Sequence, residues 1–234
     1  MSQENEQAST QQTKVIPWSY SAITLYQQCP KKYYHIRVVK DTTEPKTDAI
    51  FYGEEVHKAA ENYVMKDTPI PGKFSQFESV LEKIKAMPGE KYPEYKMGLK
   101  QNGEPCGFFD SDVWLRGIAD LVIVNGEEAR IIDYKTGKSS KYADTKQLDL
   151  MALCTFAHFP EVQKIKAGLL FLVCSDLIKR DYTRGDFLGI MRDWTAQYSW
   201  LTKTYKENVW NPKPNFSCRS YCPVTNCVHN GRNA

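Results

Sequence analysis

Gly117-Ile-Ala-Asp120-Leu-Val-Ile-Val124 and Ile131-Ile-Asp133-Tyr-Lys135-Thr-Gly137 decide the fold of this chain. Each is a short apolar run interrupted by charge, the pattern of a strand buried in a sheet. Side chains alternate faces along a strand, so Asp133 and Lys135 share one. Between the runs, Asn125-Gly126-Glu127-Glu128 reads as a hairpin turn. A four-residue loop pairs Val124 with Ala129 and sets Asp120 opposite Asp133. A two-residue Asn-Gly loop shifts the pairing by two and makes them diagonal neighbours. Either register is expected to keep Asp120, Asp133 and Lys135 on one face. Opposed side chains have Cβ atoms about 5 Å apart. Two carboxylates that close, at strand ends rich in Ile and Val, are costly unless a cation lies between them.

Such a pair supplies the hard oxygen ligands that suit Mg²⁺ or Mn²⁺. A lysine beside the ion can orient a water or stabilise developing negative charge. Together these are the parts for metal-assisted hydrolysis of a phosphodiester. An Asp-x-Lys tripeptide by itself more often marks a polar strand end with an ion pair. The second aspartate and the hairpin shift the balance toward a site.

At 234 residues the chain is long enough for one domain with a sizeable core, and its 25% charged and 41% hydrophobic residues are ordinary for a globular protein. A net charge of +3 neither demands nor excludes nucleic acid. Lys138, Lys141 and Lys146 follow Lys135 closely and suit a phosphate backbone, although a solvated lysine-rich loop reads the same way. No apolar run is long enough for a membrane span, and the N-terminus lacks an apolar signal core. The expected location is therefore a reducing compartment, the cytoplasm (or a host's, if the gene is a phage's), where seven cysteines are poor candidates for disulfides.

Residues 1–16, rich in Gln, Ser, Thr and Glu, read as a flexible tail, and 17–234 as a single domain. Ser19 or Ser21 can cap a helix running to Cys29-Pro30. A second helix is expected over 53–66, with His57 beside an apolar stripe where a packed histidine is the commoner meaning. Phe74, Phe77, Val80, Leu81 and Ile84 mark a third, ended near Pro88-Gly89. Strands are expected from Glu94 to Leu99, Ala167 to Val173 and Leu177 to Tyr182. Helices are expected from Leu148 to Phe159, with Gln147 at its start, and over 186–206. This order gives a mixed sheet flanked by helices, an α/β sandwich.

Cys218-Arg-Ser-Tyr-Cys222-Pro-Val-Thr-Asn-Cys227 places three thiols in a polar segment, and Cys29 lies near the other end of the ordered chain. A centre of four thiolates would join the two ends. Zinc, an iron–sulfur cluster and packed cysteines without metal all remain open for these residues. Cys106, Cys154 and Cys174 read as small apolar residues.

Gly117-x-x-Asp120 followed by Ile-Ile-Asp133-Tyr-Lys135-Thr-Gly resembles the core of the PD-(D/E)xK nuclease superfamily, in its RecB-like branch. That branch includes CRISPR-adaptation nucleases and the nuclease domains of recombination helicase–nucleases. The resemblance runs from about Trp18 to Cys227. It implies a restriction-endonuclease-like fold, metal-binding aspartates at Asp120 and Asp133, and a catalytic lysine at Lys135. It adds His57 and Glu94 as further metal ligands, the backbone carbonyl of Tyr134 as another, and Gln147 beside the lysine. The family's Gln-x-x-x-Tyr is here Gln147-Leu-Asp-Leu-Met151, without the aromatic hydroxyl. It also implies a [4Fe-4S] cluster on Cys29, Cys218, Cys222 and Cys227. The cysteine spacing is three residues then four, where the family more often has two then five. The activity implied is that of a Mg²⁺- or Mn²⁺-dependent deoxyribonuclease, an exonuclease on linear or single-stranded DNA. Its setting would be recombination, repair, phage DNA metabolism or CRISPR adaptation, with a helicase or recombination protein as partner. The competing readings are a catalytically silent nucleic-acid-binding module of the same fold and a metal-bearing scaffold that docks a protein. Oligomeric state is not legible.

Overall fold

The computed structural model describes residues 15–233. Of the expected tail, residues 1–14 fall outside this range, while Val15 and Ile16 lie against the core and Ile16 exchanges hydrogen bonds with the Tyr198 hydroxyl. Six strands form one sheet: β1 (Glu90–Leu99), β2 (Pro105–Cys106), β3 (Leu115–Asn125), β4 (Glu128–Lys135), β5 (Lys164–Phe171) and β6 (Asp176–Thr183). Their order is β2-β1-β3-β4-β5-β6, antiparallel except for the β4–β5 pair. That parallel step needs a crossover, which α5 (Lys146–His158) supplies.

The hairpin adopts the register in which Val124 opposes Ala129, with Asn125 and Glu128 also paired. Only Gly126 and Glu127 remain in the turn, and Gly126 takes φ +59°, a left-handed conformation that glycine enters at no steric cost. β1 begins at Glu90, earlier than expected, and runs through Pro93. Proline is tolerated there because β2 pairs with β1 only at Gly98 and Leu99, so the edge near Pro93 has no ladder to donate to.

Helices cover both faces. On one side, α1 (Tyr20–Gln28), α5 and α6 (Phe187–Glu207) pack Ile23, Leu148, Ala152, Phe156, Trp194 and Leu201 against Leu115, Val122, Ala129 and Ile131. Trp18 stands edge-on to Trp114 at 5.1 Å and lies 5.6 Å from Trp194, tying the N-terminal segment to α6. On the other side, α3 (Asp48–Lys66) and α4 (Glu78–Lys85) pack Val56, Ala60, Leu81 and Ile84 against Leu121, Ile123, Ile132 and Tyr134. Thr47 caps α3, and Asp67 ends it with φ +53°. Phe74 and Phe77 sit in a 3₁₀ turn over Gly72–Phe77 rather than in α4 itself. The short α2 (Pro30–Tyr33) passes into a π-helical turn over Tyr34–Val39, which apolar spacing did not foretell. The architecture is the expected mixed α/β sheet flanked by helices.

Candidate active site

β3 does not keep strict alternation. Ala119 and Val122 pack toward α5, whereas Leu121 packs toward α3. The strand therefore changes face at Asp120, and so does its neighbour, since Tyr92 and Tyr95 of β1 both lie on the α5 side. The β1 residue between Pro93 and Tyr95 is Glu94, whose φ of +44° is left-handed and strained for a residue with a Cβ. Such strain persists where the surroundings enforce it, and it is common at functional sites. The expectation that Asp120, Asp133 and Lys135 share one face needs correcting. Asp133 and Lys135 follow Ala129 and Ile131 toward α5, while Asp120 sits at the break and turns toward α3.

Two groups of side chains result. In the first, His57 of α3, Glu94 and Asp120 bring their ligand atoms within 4.8 Å of one another. His57 Nδ1 lies 3.4 Å from Asp120 Oδ1, and its ring stands edge-on to Tyr134 at 5.9 Å. Gly53, one turn earlier on α3, faces the residue after β4: a Cβ added there would sit 3.4 Å from Thr136 Oγ1, about ordinary contact distance. In the second group, Asp133, Lys135 and Gln147 form a closed ring. Lys135 Nζ pairs with Asp133 Oδ2 at 2.6 Å and donates to Gln147 Oε1 at 3.1 Å, and Gln147 Nε2 donates to Asp133 Oδ1 at 2.6 Å.

The β3–β4 junction joins the groups. The ladder ends at Leu121 and Ile132, and one step further the Tyr134 N–H donates to Asp120 Oδ2 at 2.7 Å. A strand residue's N–H and C=O point to the same neighbour, so the Tyr134 carbonyl also faces β3. Its phenol lies in the α3-side core.

The electrostatics are those of a crowded anionic site. Burial and the nearby Asp120 carboxylate raise the Asp133 pKa, against the pull of Lys135. Burial and Asp120 also raise Glu94, partly offset by His57. Burial disfavours the charged His57, but Asp120 outweighs it and raises the imidazole. Carboxylates crowded in this way suit a hard divalent cation, and His57, Glu94 and Asp120 could hold one between them.

Lys138, Lys141 and Lys146 are exposed in and beside the loop from β4 to α5. Met151 packs on β3, its Sδ and Cε 3.4 Å from where a Gly117 Cβ would be. Arg37, Lys40 and Arg116, which sequence reading passed over, line the same cleft as Asp133 and Gln147. Arg116 immediately precedes the Gly117-x-x-Asp120 motif, the one signal that could have marked it.

Cys29, Cys218, Cys222 and Cys227 line a single small cavity together with Lys31, Lys32 and Lys213. None is in a disulfide. The Lys213 N–H donates to Cys29 Sγ and the Asn215 N–H to Cys218 Sγ, both at 3.4 Å. Buried Asn230 donates to the Cys222 and Val224 carbonyls at 3.1 and 2.9 Å and shapes the loop. Cys106, Cys154 and Cys174 are elsewhere, and burial pushes the Cys154 thiol up to about 12.

The family model of the PD-(D/E)XK nuclease superfamily matches residues 17–101 and 73–227. The chain belongs to that superfamily. Its activity is accordingly that of a nuclease, a hydrolase acting on nucleic acid, and its family uses divalent metals. A solved structure from Eubacterium rectale, provisionally named an exonuclease, is 13% identical over 97% of this chain and 95% of that one, with a TM-score of 0.54. At that identity the likeness is one of fold. A structure named SSO0001 is 14% identical over 92% of this chain and 86% of that one, with a TM-score of 0.43. No curated protein matches this sequence. No helix among the described residues is long and apolar enough to cross a membrane.

Proposed function

We propose that this PD-(D/E)XK protein is a Mg²⁺- or Mn²⁺-dependent deoxyribonuclease that works from the ends of linear or single-stranded DNA. The observation that carries the reading is the convergence of His57, Glu94 and Asp120 within 4.8 Å, one strand away from the Asp133–Lys135–Gln147 ring. When bound, the divalent ion supplies Lewis-acid polarisation of a phosphoryl oxygen and of a water. Asp120 and Asp133 would hold it, with His57, Glu94 and the Tyr134 carbonyl completing the set. Lys135 Nζ, aimed by Asp133 and Gln147, would orient the attacking water or offset charge on the phosphate. Gln147 is a positioning residue. Lys138, Lys141 and Lys146 would follow the backbone leading in.

The four cysteines fit a [4Fe-4S] cluster in this reading. Backbone N–H groups already point at two of the sulfurs. The centre is structural, pinning the C-terminal segment to the start of α2. Unwinding would come from a helicase or recombination partner, in recombination, repair, phage DNA metabolism or CRISPR adaptation.

End-labelled linear DNA and its circular counterpart, each incubated with Mg²⁺, Mn²⁺ or EDTA, test the proposal. Metal-dependent loss of label from the linear form alone is expected. Cutting of the circle would replace end-directed action with endonuclease action. Absence of cleavage by protein that still binds DNA would leave a binding module.

A further inference from the structure

The edge of β3 that faces β4 is bare for part of its length. The ladder with β4 stops at Leu121, and the next partner on that edge is Trp18, bridged to Leu115. A cleft of about 680 Å³ opens along the bare segment. Asp133 and Gln147 stand at one end, and it passes Ile118 to reach Arg116, Arg37 and Lys40. Among the described residues none of these three cations makes an ion pair, and Asp133 is the only acidic residue lining the cleft.

Arg116 is held in an unusual way. Its Nε is buried without a hydrogen-bond partner, and its guanidinium lies 5.6 Å from the Phe108 ring and 5.9 Å from the Phe109 ring. The two rings meet edge-on at 5.0 Å. Phe108 lines the cleft, and its chain neighbour Phe109 is 77% exposed with Lys96 Nζ 6.0 Å from its ring centroid. An exposed phenylalanine forgoes about 1.5–3 kcal/mol of burial. Two cations stand over this one, so its ring is both wet and electrostatically marked. Cations without acidic partners along a groove, with a largely exposed aromatic ring next to it, are the elements that hold single-stranded nucleic acid: the cations track phosphates and the ring stacks on a base of any sequence.

We propose that this cleft is the path of a single strand, with Phe109 stacking on a base, Arg116 binding the adjoining phosphate, and the strand running along the bare β3 edge to Asp133. A duplex keeps its bases stacked and paired and offers Phe109 no free base face, so the cleft should prefer a single strand. The proposal rests on the nuclease reading only in taking Asp133 as the end of the path.

The test is equilibrium binding of labelled oligo(dT) and of a blunt hairpin duplex to the full chain, followed by fluorescence anisotropy. An Asp133→Asn background keeps the DNA intact. Phe109→Ala should weaken oligo(dT) binding by about tenfold and hairpin binding by less than about twofold. Arg116→Gln should lower the slope of log affinity against log salt by about 0.7 on oligo(dT). Unchanged affinity in Phe109→Ala, or equal losses on both substrates, would overturn the path. Because Phe109 is exposed, an unaltered melting temperature is expected to certify the variant's fold. Wild-type cleavage, measured separately, keeps the two claims apart. Cleavage with no Phe109 effect sinks the path alone, whereas a selective Phe109 effect in a protein that cuts nothing sinks the nuclease reading alone.

Discussion

Replacing Glu94 by glutamine should stabilise the metal-free protein. Its carboxylate lies within 4.8 Å of the Asp120 carboxylate, and its pKa is raised by burial and by that neighbour. At that separation two unit charges repel by about 3.5 kcal/mol at an effective dielectric of ~20. The Glu94 carboxylate is only partly buried in a residue more than a third open to solvent, and screening reduces the net penalty to about 1 kcal/mol. The sign follows from proton linkage. A raised carboxyl binds its proton more tightly in the folded state, so its contribution is most favourable below the ordinary glutamate range. That contribution is lost as pH rises through the raised value. Glu94→Gln should therefore melt about 2–4 °C above wild type near pH 7 in EDTA, with the difference closing below about pH 4. Adding Mn²⁺ should reverse the order. Wild type gains about 2.7 kcal/mol at a hundredfold excess over its Kd, and the variant, short of one ligand, gains less. Thermal melts across pH, in EDTA and in Mn²⁺, read all of this. A variant no more stable than wild type in EDTA at pH 7, or one stabilised equally by Mn²⁺, would refute the charge-crowding argument.

Gln147→Ala frees both Lys135 and Asp133 from their common partner and should lower kcat about 10–100-fold with little change in KM, measured on linear DNA. Cys218→Ser should lose bound iron and its visible absorbance and lower the melting temperature; zinc in the wild-type protein at one ion per chain would displace the cluster reading. Asp186 accepts from the Thr183 N–H and hydroxyl at 2.7 and 2.9 Å, bonds that hold its carboxyl below the usual range. Asp186→Ala should cost about 1 kcal/mol at pH 7 by melting. That difference fades as acid titrates the wild-type carboxylate through its lowered value, because the contribution exists only while the group is ionised.

The local chemistry of this site was legible in the sequence and its assembly was not. Asn125 to Glu128 announced a hairpin, and its apolar flanks left two registers, of which the structure takes the one pairing Val124 with Ala129. The Asp133–Lys135 pair follows from the period of a strand alone. Asp120 does not obey that period, because β1 and β3 change face together at Glu94 and Asp120, a distortion set by pairing between distant segments. Glu94 carried no local sign of its φ of +44°. The Arg116–Phe109 cluster escaped notice for a related reason: the chain after β2 brings Phe109 against Lys96 of β1 and Arg116 of β3, a meeting that no strand period announces. The four cysteines could be grouped from the sequence, but only the folded chain brings Cys29 to the C-terminal three around one cavity.

The central claim is that the Asp120 and Asp133 groups act as one metal site with Lys135 beside it. The most direct test is cleavage of linear DNA by wild type, Asp120→Asn, Asp133→Asn and Lys135→Ala, titrated with Mn²⁺ and checked for fold by circular dichroism. The account predicts folded variants, each slowed at least ~10²-fold, with Mn²⁺ affinity lost in the two aspartate variants and kept in Lys135→Ala. Wild-type rates in a folded Asp133→Asn or Lys135→Ala variant would contradict it.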